Sequence, residues 1–175
     1  MKTHYYSILF SLLLAAGSLL SADSVGTEDK WQWQDFSEAY PTAKMEGKHL
    51  IINFYSTSCF WCRKLDKETF ADSAVSAQLA KDFIGAKVNT RSSQNVVWQG
   101  KSMTESDLAL AFMVRGVPTT AFVDTAGEII GQFSGFVPPE TFIMTLKYVG
   151  GYWYRELTYQ EFVATEEALK KQDGQ

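Results

Sequence analysis

The sequence predicts an α/β or α+β domain in which a β-sheet carries helices on both faces. Two observations indicate this class. Apolar runs of strand length alternate along the chain with segments whose apolar residues recur every three or four positions, as expected when strands alternate with helices. Two short apolar segments joined by a glycine-containing turn then predict a closing hairpin. The 175 residues are enough for one domain with a real hydrophobic core.

The N-terminal segment has the layout of a secretory signal peptide. A short basic start precedes the apolar run from Ile8 to Leu20, and small residues follow as far as Ala22. The run is too short to span a bilayer comfortably. We therefore expect residues 1–22 to be a signal peptide and residues 23–175 to be a single domain exported to the periplasm or its equivalent. An uncleaved N-terminal anchor is the alternative.

The charge balance argues against nucleic acid as a partner. Residues 1–22 contain one basic residue and no acid, so the exported chain keeps 15 basic and 20 acidic side chains. A mildly acidic surface gives no electrostatic reason to bind a phosphate backbone.

The first predicted elements come before and after a buried strand. Residues 31–46 are predicted to form a helix with Asp35 as a candidate N-cap. Residues 49–56 are almost continuously apolar, which is typical of a central strand covered on both faces. Residues 59–83 are predicted to be helical, with an interruption near Asp72.

A second strand and a hairpin follow. Residues 84–89 are predicted to be a strand, and the polar residues 90–103 a surface loop. Residues 104–114 are predicted to be helical. Two strands, 119–124 and 128–133, are joined by a turn whose glycine permits positive φ.

Two helices end the chain. The first opens with two prolines and covers residues 138–149, where two glycines stop it. The second begins at Thr158, whose spacing to Glu161 predicts a capping box. The aromatic stretch 148–162 is either a partner-docking face or a helix packed on the core, and packing is the more common outcome.

The chemistry of the chain centres on its only two cysteines. Cys59 and Cys62 form a C-x-x-C at the junction between the buried strand and the following helix. Free N–H groups and the helix dipole stabilise a thiolate at that position. The pattern therefore predicts that Cys59 is an exposed nucleophile, and that Cys62, one turn later, attacks the mixed disulfide and releases the product.

Four other uses of a C-x-x-C pair fit less well. A zinc site needs about four ligands, whereas the exported chain has two cysteines and one histidine. Covalent haem attachment needs His where this chain has Arg63. A structural disulfide closing so short a loop would add little stability. Copper delivery would favour a downstream His or Met ligand, and His49 precedes the pair. We expect neither a metal nor an organic cofactor.

A second candidate feature is Gly116-Val117-Pro118-Thr119, where a helix ends and a strand begins. A cis Val117–Pro118 bond would make a tight turn and leave a backbone edge free to pair with an extended substrate. The alternative is an ordinary trans proline at the start of a strand.

Two segments resemble the thioredoxin superfamily. They are IINFYSTSCFWCRKLDKETF at residues 51–70 and VRGVPTTAFVDTAGEII at residues 114–130. The resemblance covers about residues 35–150 and implies a thioredoxin-like α/β fold, with a central mixed β-sheet flanked by helices. Residues 151–175 would then be an extension with an extra C-terminal helix.

The resemblance also implies roles for individual residues. In this superfamily a C-x-x-C at a helix start faces a cis proline, so Cys59 resembles the attacking thiol, Cys62 the resolving thiol and Pro118 the cis proline. The residues expected to contact substrate are Phe60, Trp61, Val117 and Pro118. The continuation after Cys62 is similar to the C-terminal domain of the DsbD reductase and to the exported SoxW-like thioredoxins of sulfur-oxidising bacteria.

The chain departs from the family pattern at three places. Thioredoxins carry a buried Asp six residues before the first Cys, where this chain has Asn53. Asn cannot accept a proton, and Asp66 is the candidate replacement base, unless it is simply a solvated helix acid. Ser58 stands where the family usually has Trp before the first Cys, and Trp61 can supply the apolar cover of the cysteine pair instead. The dipeptide Phe60-Trp61 contributes no cation to a Cys59 thiolate.

Three functions are compatible with these residues. The first is a reductase of protein disulfides, supplied with electrons by a membrane donor of the DsbD or CcdA type. The second is an oxidant that inserts disulfides. The third is a non-catalytic binding module on the same fold. An isomerase is disfavoured because no additional dimerisation domain is present.

Overall fold

The computed structural model describes residues 31–173, so the predicted signal peptide at residues 1–22 lies outside the described part of the chain. Within residues 31–173, no helix has the length and apolar character needed to cross a membrane. The elements, in chain order, are β1 (Gln34–Asp35), α1 (Phe36–Glu46), β2 (His49–Tyr55), α2 (Phe60–Leu65), α3 (Ser73–Asp82), β3 (Phe83–Asn89), β4 (Asn95–Trp98), β5 (Lys101–Thr104), α4 (Glu105–Ala111), β6 (Thr119–Val123), β7 (Ile129–Ser134), α5 (Pro139–Gly150) and α6 (Tyr159–Asp173). A π-helical segment at Asp66–Phe70 continues α2, and a 3₁₀ turn at Trp153–Arg155 precedes α6.

The main sheet is mixed, as the resemblance implied. Its strand order is β1-β3-β2-β6-β7. β3 pairs in parallel with both β1 and β2, whereas β6 pairs antiparallel with β2 and with β7. β2 is buried from His49 to Phe54, which agrees with the apolar run that predicted a central strand.

A hydrophobic core covers each face of this sheet, which confirms the predicted α/β class with helices on both faces. Alternate side chains of β2 point to opposite faces. Leu50 and Ile52 join the core formed with α1 and α4. Ile51 joins the other core with Leu65 of α2 and with residues of α3 and α5.

The first helix begins five residues later than predicted. Residues 34–35 form β1 instead, pairing with β3. Trp31 and Trp33 contact each other edge to face, with ring centroids 5.7 Å apart. The Trp31 ring occupies the space that a side chain would fill at Gly85, so glycine permits this close packing. Tertiary packing therefore overrides local helix preference here.

The predicted surface loop at residues 90–103 was wrong in part, because β4 and β5 form an antiparallel hairpin there. The connecting residues Gln99 and Gly100 both have positive φ, at 48° and 78°. That backbone suits a two-residue hairpin turn. Val96 and Trp98 turn their side chains into the core, whereas Asn95 and Val97 are exposed.

The later helices agree with the capping prediction. The Thr158 N–H donates to Glu161 Oε2 at 2.8 Å, and the Glu161 N–H donates to Thr158 Oγ1 at 3.3 Å. α6 packs through Phe162, which is buried against Tyr148 of α5 at a centroid separation of 5.5 Å. Tyr159 and Phe162 of the aromatic C-terminal stretch thus pack on Tyr148 of α5.

Candidate functional site

The cysteine pair lies where β2 ends and α2 begins. Cys59 is the N-cap of α2, with extended backbone at φ −76° and ψ 115°. The N–H of Cys62 donates to Cys59 Sγ at 3.0 Å. A disulfide joins the two cysteines, Cys62 is buried, and Cys59 is partly exposed. The same N–H can stabilise a Cys59 thiolate once the pair is reduced.

Val117 and Pro118 lie directly beside the exposed sulfur. The Val117–Pro118 peptide is cis, and the Val117 carbonyl oxygen is 3.6 Å from Cys59 Sγ. This proximity follows from the sheet, since β6 starts at Thr119, which is in register with Phe54 near the end of β2. Among the described residues, neither the N–H nor the carbonyl of Val117 makes a backbone–backbone hydrogen bond. This edge is therefore available to an extended chain.

Hydrogen bonds hold the proline segment in place. Thr119 Oγ1 donates to the Gly116 carbonyl at 2.7 Å and lies 2.7 Å from Ser134 Oγ. The Gly135 N–H donates to the Pro118 carbonyl at 2.8 Å. The segment next to Cys59 is thus tied to the neighbouring strand β7.

An apolar surface borders the sulfur on one side. Phe60 and Trp61 are 62% and 53% exposed, and their rings are in edge contact at 5.4 Å. Trp61 also approaches Phe136, with ring centroids 6.2 Å apart. A cleft of about 360 Å³ beside the sulfur is lined by Trp61, Val117, Pro118, Gly135 and Phe136. Such a surface suits an apolar side chain of a bound peptide.

Phe136 is a site residue that the sequence prediction missed. It follows β7, 75 positions after Trp61, and only the sheet order brings the two together. The glycine-aromatic pair between β7 and α5 was the available signal, because an aromatic residue in a connecting segment is a candidate for binding.

Asp66, the candidate base, makes an ion pair. Its Oδ1 accepts a hydrogen bond from Lys87 Nζ at 2.6 Å, and the Asp66 side chain is 37% exposed. Lys87 is also in register with Asn53 on the neighbouring strand. The backbone N–H of Asp66 donates to the Cys62 carbonyl, but within the described residues the Asp66 carboxylate makes no hydrogen bond to either cysteine sulfur. A role for Asp66 as a base remains a prediction.

Asn53 occupies the position of the acid that thioredoxins carry. It is buried, and its amide Nδ2 donates to Thr120 Oγ1 at 3.5 Å. It therefore sits in a row of polar side chains across the sheet, between Lys87 and Thr120.

His49 lies at the other end of β2 from the cysteines. Its Nε2 is 3.2 Å from Tyr154 Oη, and its ring packs on Tyr152 at 4.4 Å. Burial lowers the pKa of His49, with a partly offsetting effect of the Asp124 carboxylate. Six residues of strand correspond to about 20 Å, so His49 is too far away to share a metal with Cys59. No group of side chains in residues 31–173 has a metal-binding arrangement.

Comparisons with known proteins agree with this geometry. A sequence profile described as a thioredoxin-like domain matches residues 36–150. The thiol:disulfide interchange protein DsbD of Vibrio vulnificus (strain CMCP6) is 29% identical over 114 residues, which are 63% of this chain and 17% of DsbD. The chain thus spans less than a fifth of the length of that relative.

Two solved structures show the same fold. A thioredoxin-fold protein from Helicobacter pylori superposes with a TM-score of 0.63 at 18% identity, covering 71% of this chain and 87% of that one. A thioredoxin from Thermus thermophilus gives a TM-score of 0.57 at 28% identity, covering 69% and 87%. The chain belongs to the thioredoxin-like domain family, and it carries the Cys59–Cys62 pair at the start of α2.

Proposed function

We propose that this protein reduces disulfides of other proteins in the periplasm, and that a membrane donor of the DsbD or CcdA type reduces it in turn. The observation that carries the proposal is the position of Cys59 Sγ. This sulfur accepts the Cys62 N–H at the start of α2 and lies 3.6 Å from the carbonyl of a free backbone edge. The DsbD relative, named for thiol:disulfide interchange, supports the same chemistry.

The first step joins the protein to its substrate. The reduced Cys59 thiolate attacks one sulfur of a substrate disulfide, the substrate S–S bond breaks, and the departing sulfur leaves as a thiolate that takes up a proton. An extended substrate segment can pair with Val117 meanwhile, which orients its disulfide toward Cys59.

The second step releases the substrate. Cys62 loses its proton and attacks Cys59 Sγ, and the bond between Cys59 and the substrate breaks. The substrate keeps two thiols, and the protein keeps the Cys59–Cys62 disulfide, so two electrons have moved. Because Cys62 is buried, its deprotonation needs a nearby acceptor, and we propose Asp66 with its partner Lys87 in that role.

The proposed direction of electron flow rests on the charges around Cys59. A dithiol couple is oxidising when its reduced thiolate is specially stabilised. Phe60 and Trp61 offer no cation. Of the neighbouring cations, Arg63 donates to the Thr57 carbonyl at 3.3 Å, and Lys64 pairs with Glu68 at 2.7 Å. Within the segment from Thr57 to Glu68, the N-terminus of α2 is then the group that stabilises the thiolate most directly, which favours a reductant.

The test is equilibration against a glutathione buffer, with the reduced fraction measured by thiol alkylation. We expect a reduction potential more negative than roughly −200 mV, together with turnover in insulin reduction that Cys59→Ser abolishes. A potential near about −120 mV, as in strong disulfide oxidants, would replace this proposal by the oxidant alternative. Folded protein with no insulin turnover would point to the non-catalytic binding module.

A further inference from the structure

A second cleft lies on the other side of Val117 from the Trp61–Phe136 surface. Its volume is about 240 Å³, and Val117 lines both clefts. Its lining is mixed and more polar than that of the first cleft, because Ser56, Thr90, Arg91, Ser106 and Arg115 stand beside apolar residues of α4 and the segment after it. This space is too small for a drug-sized ligand and large enough for one side chain.

The two arginines of this cleft have no acidic partner. In the described part of the chain, no carboxylate lies within ion-pairing distance of Arg91 or Arg115. Glu105, a buried acid at the start of α4, forms no ion pair with either. Two guanidinium groups at one cleft, both solvent-accessible, therefore remain free for an external anion.

Hydroxyl groups add further donors. Within residues 31–173, the side chains of Ser56 and Ser106 make no hydrogen bond, although Ser56 is largely buried. The hydroxyl of Thr90 donates to the Tyr55 carbonyl at 3.3 Å. The cleft thus presents guanidinium and hydroxyl donors without a fixed acceptor for the arginines. Guanidinium groups bind carboxylates and phosphates in a bidentate manner, and the carboxylate is the one of these two that an unmodified protein substrate carries.

We propose that the cleft between Arg91 and Arg115 binds a carboxylate side chain of the substrate, on one side of the cysteine whose disulfide is exchanged. On the other side of that cysteine, an apolar side chain contacts Trp61 and Phe136. Val117 lines this cleft, and its carbonyl oxygen is 3.6 Å from Cys59 Sγ. Because an extended chain advances about 3.3 Å per residue, we expect the carboxylate within roughly three residues of the cysteine. The inference rests on the proposed function and names the substrate class: extended segments with an acid on one side and an apolar residue on the other.

The test uses single-turnover reduction of short peptides, each holding one cysteine in a disulfide with a fluorescent thiol. One Glu is placed in turn at each of the three positions before and after the cysteine, and each peptide is matched by a peptide with Gln at the same position. The Glu/Gln ratio of second-order rate constants is measured for the wild type, for Arg91→Gln/Arg115→Gln and for Arg63→Gln. Arg63 is the matched control, since it is exposed near Cys59 but does not line the cleft.

We expect a ratio of roughly fivefold at positions on one side of the cysteine only, as for one or two exposed ion pairs. The double variant should bring the ratio close to one, and Arg63→Gln should leave it unchanged. The Arg115→Glu variant should reduce a peptide with Lys at that position faster than the matching Gln peptide.

Two results would overturn the inference while the proposed function stands. One is equal rates for Glu and Gln peptides at every position. The other is a Glu preference of equal size before and after the cysteine, or one that Arg63→Gln lowers as much as the double variant does. Either pattern would be explained by general attraction of Glu to a basic surface. If the wild type reduces none of the peptides, including the Gln series, the proposed reductase function fails and this inference fails with it.

Discussion

Replacing Asn53 by Asp would place a carboxyl group beneath helix α2. Asn53 is buried on the central strand, and alternation places its side chain on the same face of the sheet as Ile51, which shares a core with Leu65 of α2. Lys87, in register on the neighbouring strand, is already bound to Asp66. The new carboxyl group would thus lie behind the buried Cys62 sulfur, and it would share the Lys87 ammonium group with Asp66.

Two effects should follow from Asn53→Asp. Burial raises the pKa of a carboxyl group, and a tenfold weaker acid corresponds to a cost of about 1.4 kcal/mol for holding the carboxylate in the folded state. We expect a loss of about 2–4 kcal/mol of unfolding free energy at neutral pH, since a buried acid can be weakened a thousandfold or more and Lys87 offsets part of the cost. Because the folded state binds the proton more tightly, this loss is absent below the unfolded pKa of about 3.9 and complete above the raised folded pKa. A local base should also speed resolution by about tenfold near neutral pH.

The assay is reaction of the reduced protein with an aromatic disulfide whose thiolate product absorbs visible light. Attack by Cys59 releases one thiolate, and resolution by Cys62 releases the second, so the two steps appear as separate phases. Asn95→Asp is the matched control, because it adds the same group at an exposed site at the start of β4. An unchanged second phase in a folded Asn53→Asp variant, or an unchanged urea midpoint, would refute the placement of Asn53 behind the pair.

Further predictions concern the cysteines, the buried histidine and the proline segment. Cys59→Ser should abolish exchange, and Cys62→Ser should accumulate covalent complexes with substrates on non-reducing gels; trapping by the Cys59 variant alone would mean that the roles are reversed. Burial lowers the pKa of His49, so the unfolded chain takes up a proton first and stability should fall as pH drops below about 6.5. His49→Phe should flatten the urea midpoint between about pH 7 and pH 5, and a slope that persists would show that another group causes it. Thr119→Val should cost about 1–3 kcal/mol by removing the hydrogen bond to the Gly116 carbonyl, whereas Thr119→Ser keeps it; equal losses would indicate a packing effect.

Features encoded within a few residues could be predicted from the sequence. The capping box at Thr158 and the break before α3 at Asp72 depend on a side chain and backbone groups two to three positions away. The position of Cys59 at the start of α2 follows in the same way, from an apolar strand followed by a helical segment. These predictions were confirmed because the groups that decide each feature are close together in the chain.

Features that depend on distant neighbours could not be predicted. The β4–β5 hairpin looks polar along the chain, and its stability comes from Trp98, which packs against Tyr40 of α1 at a centroid separation of 4.8 Å. The Asp66–Lys87 ion pair likewise joins residues 21 positions apart on elements that only the sheet order makes neighbours. Local pattern carries no information on such pairs.

The pairing of β2 with β6 determines whether this protein or its substrate must change conformation when the two bind. Cys59 follows the end of one strand and Val117 precedes the start of the other, and the strands are joined in register from Leu50–Val123 to Phe54–Thr119. The reactive sulfur and the edge beside it therefore form one stiff unit, and the partner must supply the flexibility. A disulfide in a mobile loop or an incompletely folded chain can extend along this edge at little cost. A disulfide inside a packed domain must first pass through local unfolding, at a cost that approaches the global stability of that domain in its core. We expect selection among partners to depend on how well folded each one is, as well as on its sequence.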